Sequence, residues 1–496
     1  MVGRMAIPVE TFFLAPGGAG TLQQQIQRMV TEGILSNLFP AGARLPSSRK
    51  LAHHLSVSRI TVTLAYTDLV ACDYLVARGR SGYFVSAGAP RNPEFNLGAE
   101  PTQGRAEWAR LIGRHFAGPR RIDRPANWRS YPYPFIYGQA DPRLFDHHNW
   151  RNAALRALGP REFEVLAHDS YEQDDPLLVE YILRHILPRR GIRAEPRQIL
   201  ITMGAQNALW MAAEILLGQR RVAVHESPCY PELRQILDNT RCTTVALDVD
   251  ADGLDPDALP ERVDVVFTTA SHQCPTNVTM PIGRRRRLLE LAAARGFVVV
   301  EDDYEFEIPF GTAPVPSLKA IDDAGAVVHV GSFSKSLFPG LRLGYIVAAE
   351  EFIREARALR GLLLRHPPGH IQRTAANFLS LGYYDAQVNR MARAYRRRRV
   401  EMESALVEHG LLTAPLESRG GSSIWLRAPE GIDTTELAED LLQDGVVIEP
   451  GRVFFGPNDD DRSHYRLSYS SIQSTQIREG IRLLAARLRK SGDNPG

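Results

Sequence analysis

Lysine is scarce in this chain of 496 residues: only Lys50, Lys319, Lys335 and Lys490 occur among 59 basic side chains, so chemistry that needs a primary amine has few candidates. Lys335 closes the run Gly331-Ser332-Phe333-Ser334-Lys335 behind the apolar stretch Val327 to Val330, with Arg342 seven positions on. An amine among small hydroxyls with a guanidinium nearby suits a Schiff base beside a phosphate-binding cup, Ser332, Ser334 and Arg342 being the anion's ligands. Lys319 lies in a Pro-rich loop without comparable neighbours. A second cluster, Val298-Val299-Val300-Glu301-Asp302-Asp303-Tyr304, reads as a buried strand ending in acids. A carboxylate there can pair with a protonated pyridine nitrogen, and Tyr304 can reach a ring oxygen. Metal binding by these acids is the competing reading, disfavoured because no histidine stands at ligand spacing.

Two further positions belong to the same chemistry. Gly204-Ala205-Gln206-Asn207-Ala208 joins a strand-like run ending at Met203 to a helical one ending near Leu217, and backbone N–H groups at a helix start bind anions. Tyr230, in Glu226-Ser227-Pro228-Cys229-Tyr230-Pro231, follows the next strand-like run, where an aromatic ring can stack on a pyridine face or simply serve the core.

The elements that must position these residues follow from periodicity. Strand-like runs at residues 198–203, 221–225, 243–247, 263–268, 297–301 and 327–331 alternate with amphipathic helices. That alternation predicts an α/β domain with a mostly parallel sheet, whose ligands bind at the strands' carboxyl ends. The chemistry-bearing residues stand at those ends.

The first ninety residues differ. Leu22, Ile26, Met29, Val30 and Leu35 predict a helix capped by Thr21, and Pro46-Ser47-Ser48-Arg49 opens a second with a serine cap. Ser58 caps a third helix with Val62, Ala65, Tyr66 and Leu69 inward and Arg59, Thr61 and Thr63 outward. Two short strands, 75–77 and 83–85, flank a glycine-bearing tip with Arg78 and Arg80. This predicts a winged helix-turn-helix whose third helix enters a major groove while Arg44, Arg49, Lys50 and the wing arginines meet phosphates. Eight cations against four acids between Met1 and Pro90 agree with that, although the net charge of the whole chain is only +2. A dimerisation arm is the plainer alternative.

The domain boundaries expected are 12–88 for the DNA-binding module, 89–130 for a linker rich in Pro, Gly and Arg, and 131–490 for the coenzyme and effector domain. Composition adds exclusions. No apolar run is long enough to cross a bilayer, Met1 to Glu10 lacks the pattern of a secretory signal, and Cys72, Cys229, Cys242 and Cys274 form no C-x-x-C pair. A cytoplasmic protein without a structural metal is expected.

On Leu45 to Arg49, Val57 to Val62 and the wing at Arg78 to Val85, the N-terminal module resembles the GntR family of winged-helix repressors. Ser56 departs from a usual turn glycine, and Ala71-Cys72-Asp73 from a usual E-G pair. From Tyr131 to about Leu488, the order of phosphate turn, aromatic, acid, lysine and arginine resembles the fold-type I aminotransferases. The whole is similar to the MocR/GabR subfamily of GntR regulators.

That resemblance implies pyridoxal 5'-phosphate (PLP) on Lys335, with Asp302 at the pyridine nitrogen, Tyr304 near the ring oxygen and Tyr230 stacked on the ring. Ser332, Ser334, Arg342, Ala205 and Gln206 would hold the phosphate, and Tyr171 would reach it from the partner subunit of a homodimer. Arg466 would grip the carboxylate of an amino-acid-like effector. Such an effector would form an external aldimine and alter operator binding; an active aminotransferase with an accessory N-terminal module is the alternative. Two departures bear on this. Tyr171-Glu172-Gln173-Asp174-Asp175-Pro176 replaces the family's Y-G-D-P-x-G, and Cys274-Pro275-Thr276-Asn277 replaces N-P-T-G, losing an asparagine donor to the ring oxygen. The second favours sensing over turnover.

Overall fold

The computed structural model describes residues 6–14, 17, 19–91, 107–116, 124–139, 141–169, 171–305, 315–414, 420–456, 459 and 461–492. Much of the expected linker 89–130 lies outside them. The chain divides into two compact units, Met1–His115 and Phe116–Gly496.

In the first unit, α1 (Leu22–Leu35) opens on a capping box in which Thr21 and Gln24 satisfy each other's backbone N–H groups. Ile26, Val30 and Ile34, spaced by four, are fully buried against α3. The second helix, α2 (Ser48–Leu55), is capped by Ser47, whose Oγ accepts from Lys50 N at 3.2 Å. In α3 (Arg59–Ala71), capped by Ser58, the four expected residues are the buried ones. Strands β1 (Leu75–Ala77) and β2 (Tyr83–Val85) pair antiparallel, and Arg44 bridges to Phe84 along the hairpin. Both departures from the GntR pattern fall on left-handed backbone: Ser56 has φ 55° and Asp73 has φ 59°. The chain makes the turns that glycine would make, with residues that pay strain for them.

The second unit is built on an eight-stranded sheet. Its strands in chain order are β3 (Ile199–Thr202), β4 (Val222–Ser227), β5 (Thr243–Asp250), β6 (Gly253–Leu254), β7 (Val265–Thr268), β8 (Val298–Asp303), β9 (Val327–Ser332) and β10 (Gly344–Val347). The spatial order is β3-β10-β9-β8-β7-β4-β5-β6; β9, β8, β7, β4 and β5 run parallel, and β10 is antiparallel to both its neighbours. Every one of the six strand-like runs forms a strand. Near-continuous apolar sequence is what a sheet covered on both faces requires, and β3, β7 and β10 are buried at every residue. Helices α4 (Ala205–Leu216), α5 (Pro231–Thr240) and α6 (Ile282–Arg295) follow β3, β4 and β7 respectively.

Toward the C-terminus, β11 (Ser423–Arg427), β12 (Glu449–Pro450) and β13 (His464–Ser468) form a separate antiparallel sheet in the order β11-β13-β12. Trp128, inside the expected linker, is buried with Ile136 and Val447, so the packed part of the large unit begins upstream of residue 131. Among the described residues no helix is long and apolar enough to cross a membrane, and no cluster of three or more His, Cys, Asp or Glu could hold a metal.

Candidate coenzyme and DNA sites

Strand alternation decides which acid of Glu301-Asp302-Asp303 does what, because successive side chains leave opposite faces of the sheet. Glu301 turns away from the coenzyme cavity, accepting from Leu318 N at 2.6 Å and pairing with His329 Nδ1 at 2.9 Å. Asp303, on the same side, is held by Arg190 Nε at 2.6 Å, and both side chains are buried. Asp302 alone lines the cavity, and its Oδ1 has no hydrogen-bond partner among the described residues. Burial, and then the charge of Asp303, push its carboxyl up to about 7. A buried, unsatisfied carboxylate costs free energy unless a cation or a donor meets it.

That cavity has a volume of about 140 Å³ and is lined by Ala205, Gln206, Tyr230, Tyr304, Ser332, Ser334, Lys335 and Arg342, all expected from the sequence, by Cys274 of the altered N-P-T-G motif, and by Tyr137 and Leu209, which the sequence did not single out. The turn expected to hold a phosphate lies where β3 leads into α4. Gly204 has φ 84° and ψ 173°, a backbone conformation that favours glycine, and its Cα lies against the Arg342 guanidinium, which a Cβ would meet at 3.4 Å. Burial lowers the pKa of Lys335, while the Glu305 carboxylate opposes that shift. Its Nζ stands 4.1 Å from the centroid of the Tyr137 ring, and a Cβ on Gly138 would collide with it. Cys274 holds the place of the lost asparagine; burial pushes its thiol up to about 12, so at neutral pH it is an uncharged and weak donor. Tyr304 donates its hydroxyl proton to the His272 carbonyl at 3.0 Å.

Two expected residues stand differently. Arg466 is 2% exposed, and its Nε donates to Glu449 Oε2 at 2.8 Å. The two residues face each other across β13 and β12. The expected free fork is therefore partly taken by an internal carboxylate, a pairing invisible in sequence because strand register brings together residues seventeen apart. Tyr171 is 45% exposed and does not line the cavity of its own chain; the Arg365 guanidinium lies 5.6 Å from its ring centroid. The altered residues behind it have structural work: Asp174 is held by Arg360 NH1 at 2.6 Å, and Asp175 caps the helix Pro176–Tyr181.

In the small unit, Arg44, Ser47, Arg49, Ser58, Arg59 and Arg78 are exposed and Ser48 is half-buried. Arg44 reaches the wing, where a Cβ on Gly82 would lie 3.7 Å from its Nε, and the Arg78 guanidinium lies 4.8 Å from the centroid of the Phe84 ring. The side chain of Arg80 lies outside the described residues. On α3 the outward face differs from expectation. Thr61 and Thr63 are half-buried, and Thr63 Oγ1 donates to Arg59 O at 2.9 Å within the helix. Ile60, 71% exposed, and Leu64, one turn on, face outward instead. Apolar contacts of this kind suit thymine methyl groups, and a purely polar outward face had hidden them.

Comparison with known proteins agrees with both halves. Residues 22–85 match the bacterial regulatory proteins of the gntR family, and residues 149–484 match the class I and II aminotransferases. The chain is 59% identical to the HTH-type transcriptional regulator TauR of Rhodobacter capsulatus over 98% of this chain and 100% of that one. It is 28% identical to the probable rhizopine catabolism regulatory protein MocR of Rhizobium meliloti, over 93% of each. The structure of Pyrococcus horikoshii kynurenine aminotransferase, solved with PMP, superposes with a TM-score of 0.68 at 26% identity, covering 78% of this chain and 95% of that one. A gntR-type helix-turn-helix ahead of an aminotransferase fold is the arrangement of the MocR-type GntR transcription regulators, and to that family this chain belongs.

Proposed function

We infer that this regulator carries PLP on Lys335 and uses its aminotransferase-like unit to sense an amino-acid-like effector that alters operator binding. The observation that carries the reading is that one cavity is lined by an amine of lowered basicity, Lys335, and by a buried carboxyl, Asp302, whose Oδ1 finds no hydrogen-bond partner among the described residues. The residues present fit the coenzyme. Asp302 would pair with the pyridine nitrogen, Tyr230 would cover the ring, and Arg342, Ser332, Ser334 and the N–H groups at Ala205 and Gln206 would hold the phosphate. Bound there, the coenzyme supplies an aldehyde that condenses with primary amines.

The chain's own groups do the rest. Burial lowers the basicity of Lys335, which favours the free amine that a nucleophile needs. Arg466 offers its remaining N–H groups to the effector's acid end, its Nε being steadied by Glu449. Cys274, lacking an amide N–H, leaves the ring oxygen without the donor that true aminotransferases place there, which favours holding a ligand over turning it over. The ligand's binding free energy is then available to shift the protein between states that hold DNA differently. In the cytoplasm, as a homodimer with Tyr171 of each chain serving the other's phosphate, the protein would engage two half-sites.

The test is borohydride reduction of the PLP-incubated protein followed by peptide mapping. The label is expected on Lys335, and Lys335→Ala is expected to lose both the label and any effector response while keeping affinity for its promoter. Labelling spread over other lysines, or an intact response in Lys335→Ala, would falsify the reading; steady keto-acid release from an amino donor would favour a working aminotransferase.

A further inference from the structure

Tyr137 stands on the first stretch of chain that packs into the large unit. Trp128 is buried with Ile136 and Val447. Phe135 N donates to Val447 O at 2.8 Å, its carbonyl accepts from Ser468 N at 3.1 Å, and the Ile136 carbonyl accepts from the Ser470 hydroxyl at 3.3 Å. The segment is thus tied, residue after residue, to Val447 just before Glu449 and to the end of the strand that carries Arg466 and the residues beyond it. At Tyr137 it reaches the cavity. The ring centroid lies 4.1 Å from Lys335 Nζ and 4.0 Å from Arg466 Cζ, and the hydroxyl donates to Glu305 Oε2 at 3.1 Å. One ring therefore touches both the amine that would anchor the coenzyme and the guanidinium that would take the effector's acid. Such contacts depend on the partner's charge and weaken when that charge is neutralised or moved.

Resting on the reading above, we propose that Tyr137 is a positioning residue that reports joint occupancy of the amine and acid subsites to the segment Trp128–Gly138, through which the chain leads back to the DNA-binding unit. A ligand that is only an amine disturbs one contact of the ring. A ligand with both an amine and an acid disturbs both, so the device separates amino acids from simple amines.

The test uses the full chain saturated with PLP and two probes: aminooxyacetate, which carries an acid, and O-methylhydroxylamine, which does not. Each would form an oxime: the probe nitrogen bonds the coenzyme's aldehyde-derived carbon, the carbon–nitrogen bond to Lys335 breaks, and the lysine leaves as the free amine holding both probe protons. Absorbance follows that step, and hydrogen exchange follows the amides of residues 128–138. Aminooxyacetate is expected to change their exchange by on the order of tenfold, the low end of ordinary coupling, and O-methylhydroxylamine by far less. Tyr137→Phe, which keeps the ring, is expected to respond as the parent does, and Tyr137→Leu at saturating PLP to form the oxime without the response. Equal responses to the two probes, or a full response in Tyr137→Leu, overturn the relay while leaving the coenzyme reading standing. Absence of any oxime in the parent protein overturns both.

Discussion

A carboxylate facing a cavity is costly in isolation, and Asp302 shows how that cost becomes a binding determinant. With its carboxyl pushed up to about 7, the folded, coenzyme-free protein keeps a proton that the unfolded chain releases above about pH 4. The folded state binding more protons, stability falls as pH rises between those values. Asp302→Asn is therefore expected to raise the thermal stability of the coenzyme-free protein at pH 8, by up to about 4 kcal/mol, and to leave it unchanged near pH 4. Saturating PLP should reverse the order at pH 8, because only the carboxylate rewards a protonated pyridine nitrogen. Melting curves at the two pH values, with and without PLP, check all three outcomes. Arg466 shows the opposite arrangement: its charge is matched by Glu449 inside the fold, so the site holds the guanidinium in place before any ligand arrives.

At the scale of elements, the turns of the helix-turn-helix carry strain that the sequence motif disguises. Ser56 ends α2 at φ 55° and Asp73 follows α3 at φ 59°, both where an L residue other than Asn or Asp is disfavoured. Ser56→Gly is expected to stabilise the N-terminal unit by about 0.5–1 kcal/mol, the relief of left-handed strain less glycine's extra chain entropy. Asp73→Gly should yield less, because aspartate tolerates that conformation. Urea denaturation of the two variants gives the ranking; a larger gain from Asp73→Gly would refute the argument. The three-acid end of β8 was legible as a site in the sequence, and period-two alternation alone assigns Asp302 to one face and its neighbours to the other. What alternation cannot say is which face holds the cavity.

At the scale of the whole molecule, two kinds of recognition meet in one chain and can be told apart by salt. Arg49 is exposed at the start of α2 and suited to phosphate contact. Arg49→Ala is expected to flatten the dependence of log affinity on log salt by about 0.9 per DNA site engaged, whatever the state of the coenzyme. Lys335→Ala should leave that slope alone and abolish only the effector response. Titration of a labelled promoter fragment between about 50 and 200 mM salt separates the two; a changed slope in Lys335→Ala would mean that the coenzyme site also alters the electrostatic contacts.

The sequence by itself determined the elements and most of the residues that line the cavity. Apolar periodicity, capping serines and strand-end motifs are local, so the six parallel-sheet runs, the three N-terminal helices, Lys335, Asp302, Arg342, Tyr230 and the Gly204 turn could all be read along the chain. Only the tertiary structure decided that Glu449 occupies Arg466 and that the Tyr137 ring touches both Lys335 and Arg466. Each of these is set by strand register or by a distant stretch of chain that reaches the cavity. Such relations join residues far apart in the chain, and no local pattern encodes them.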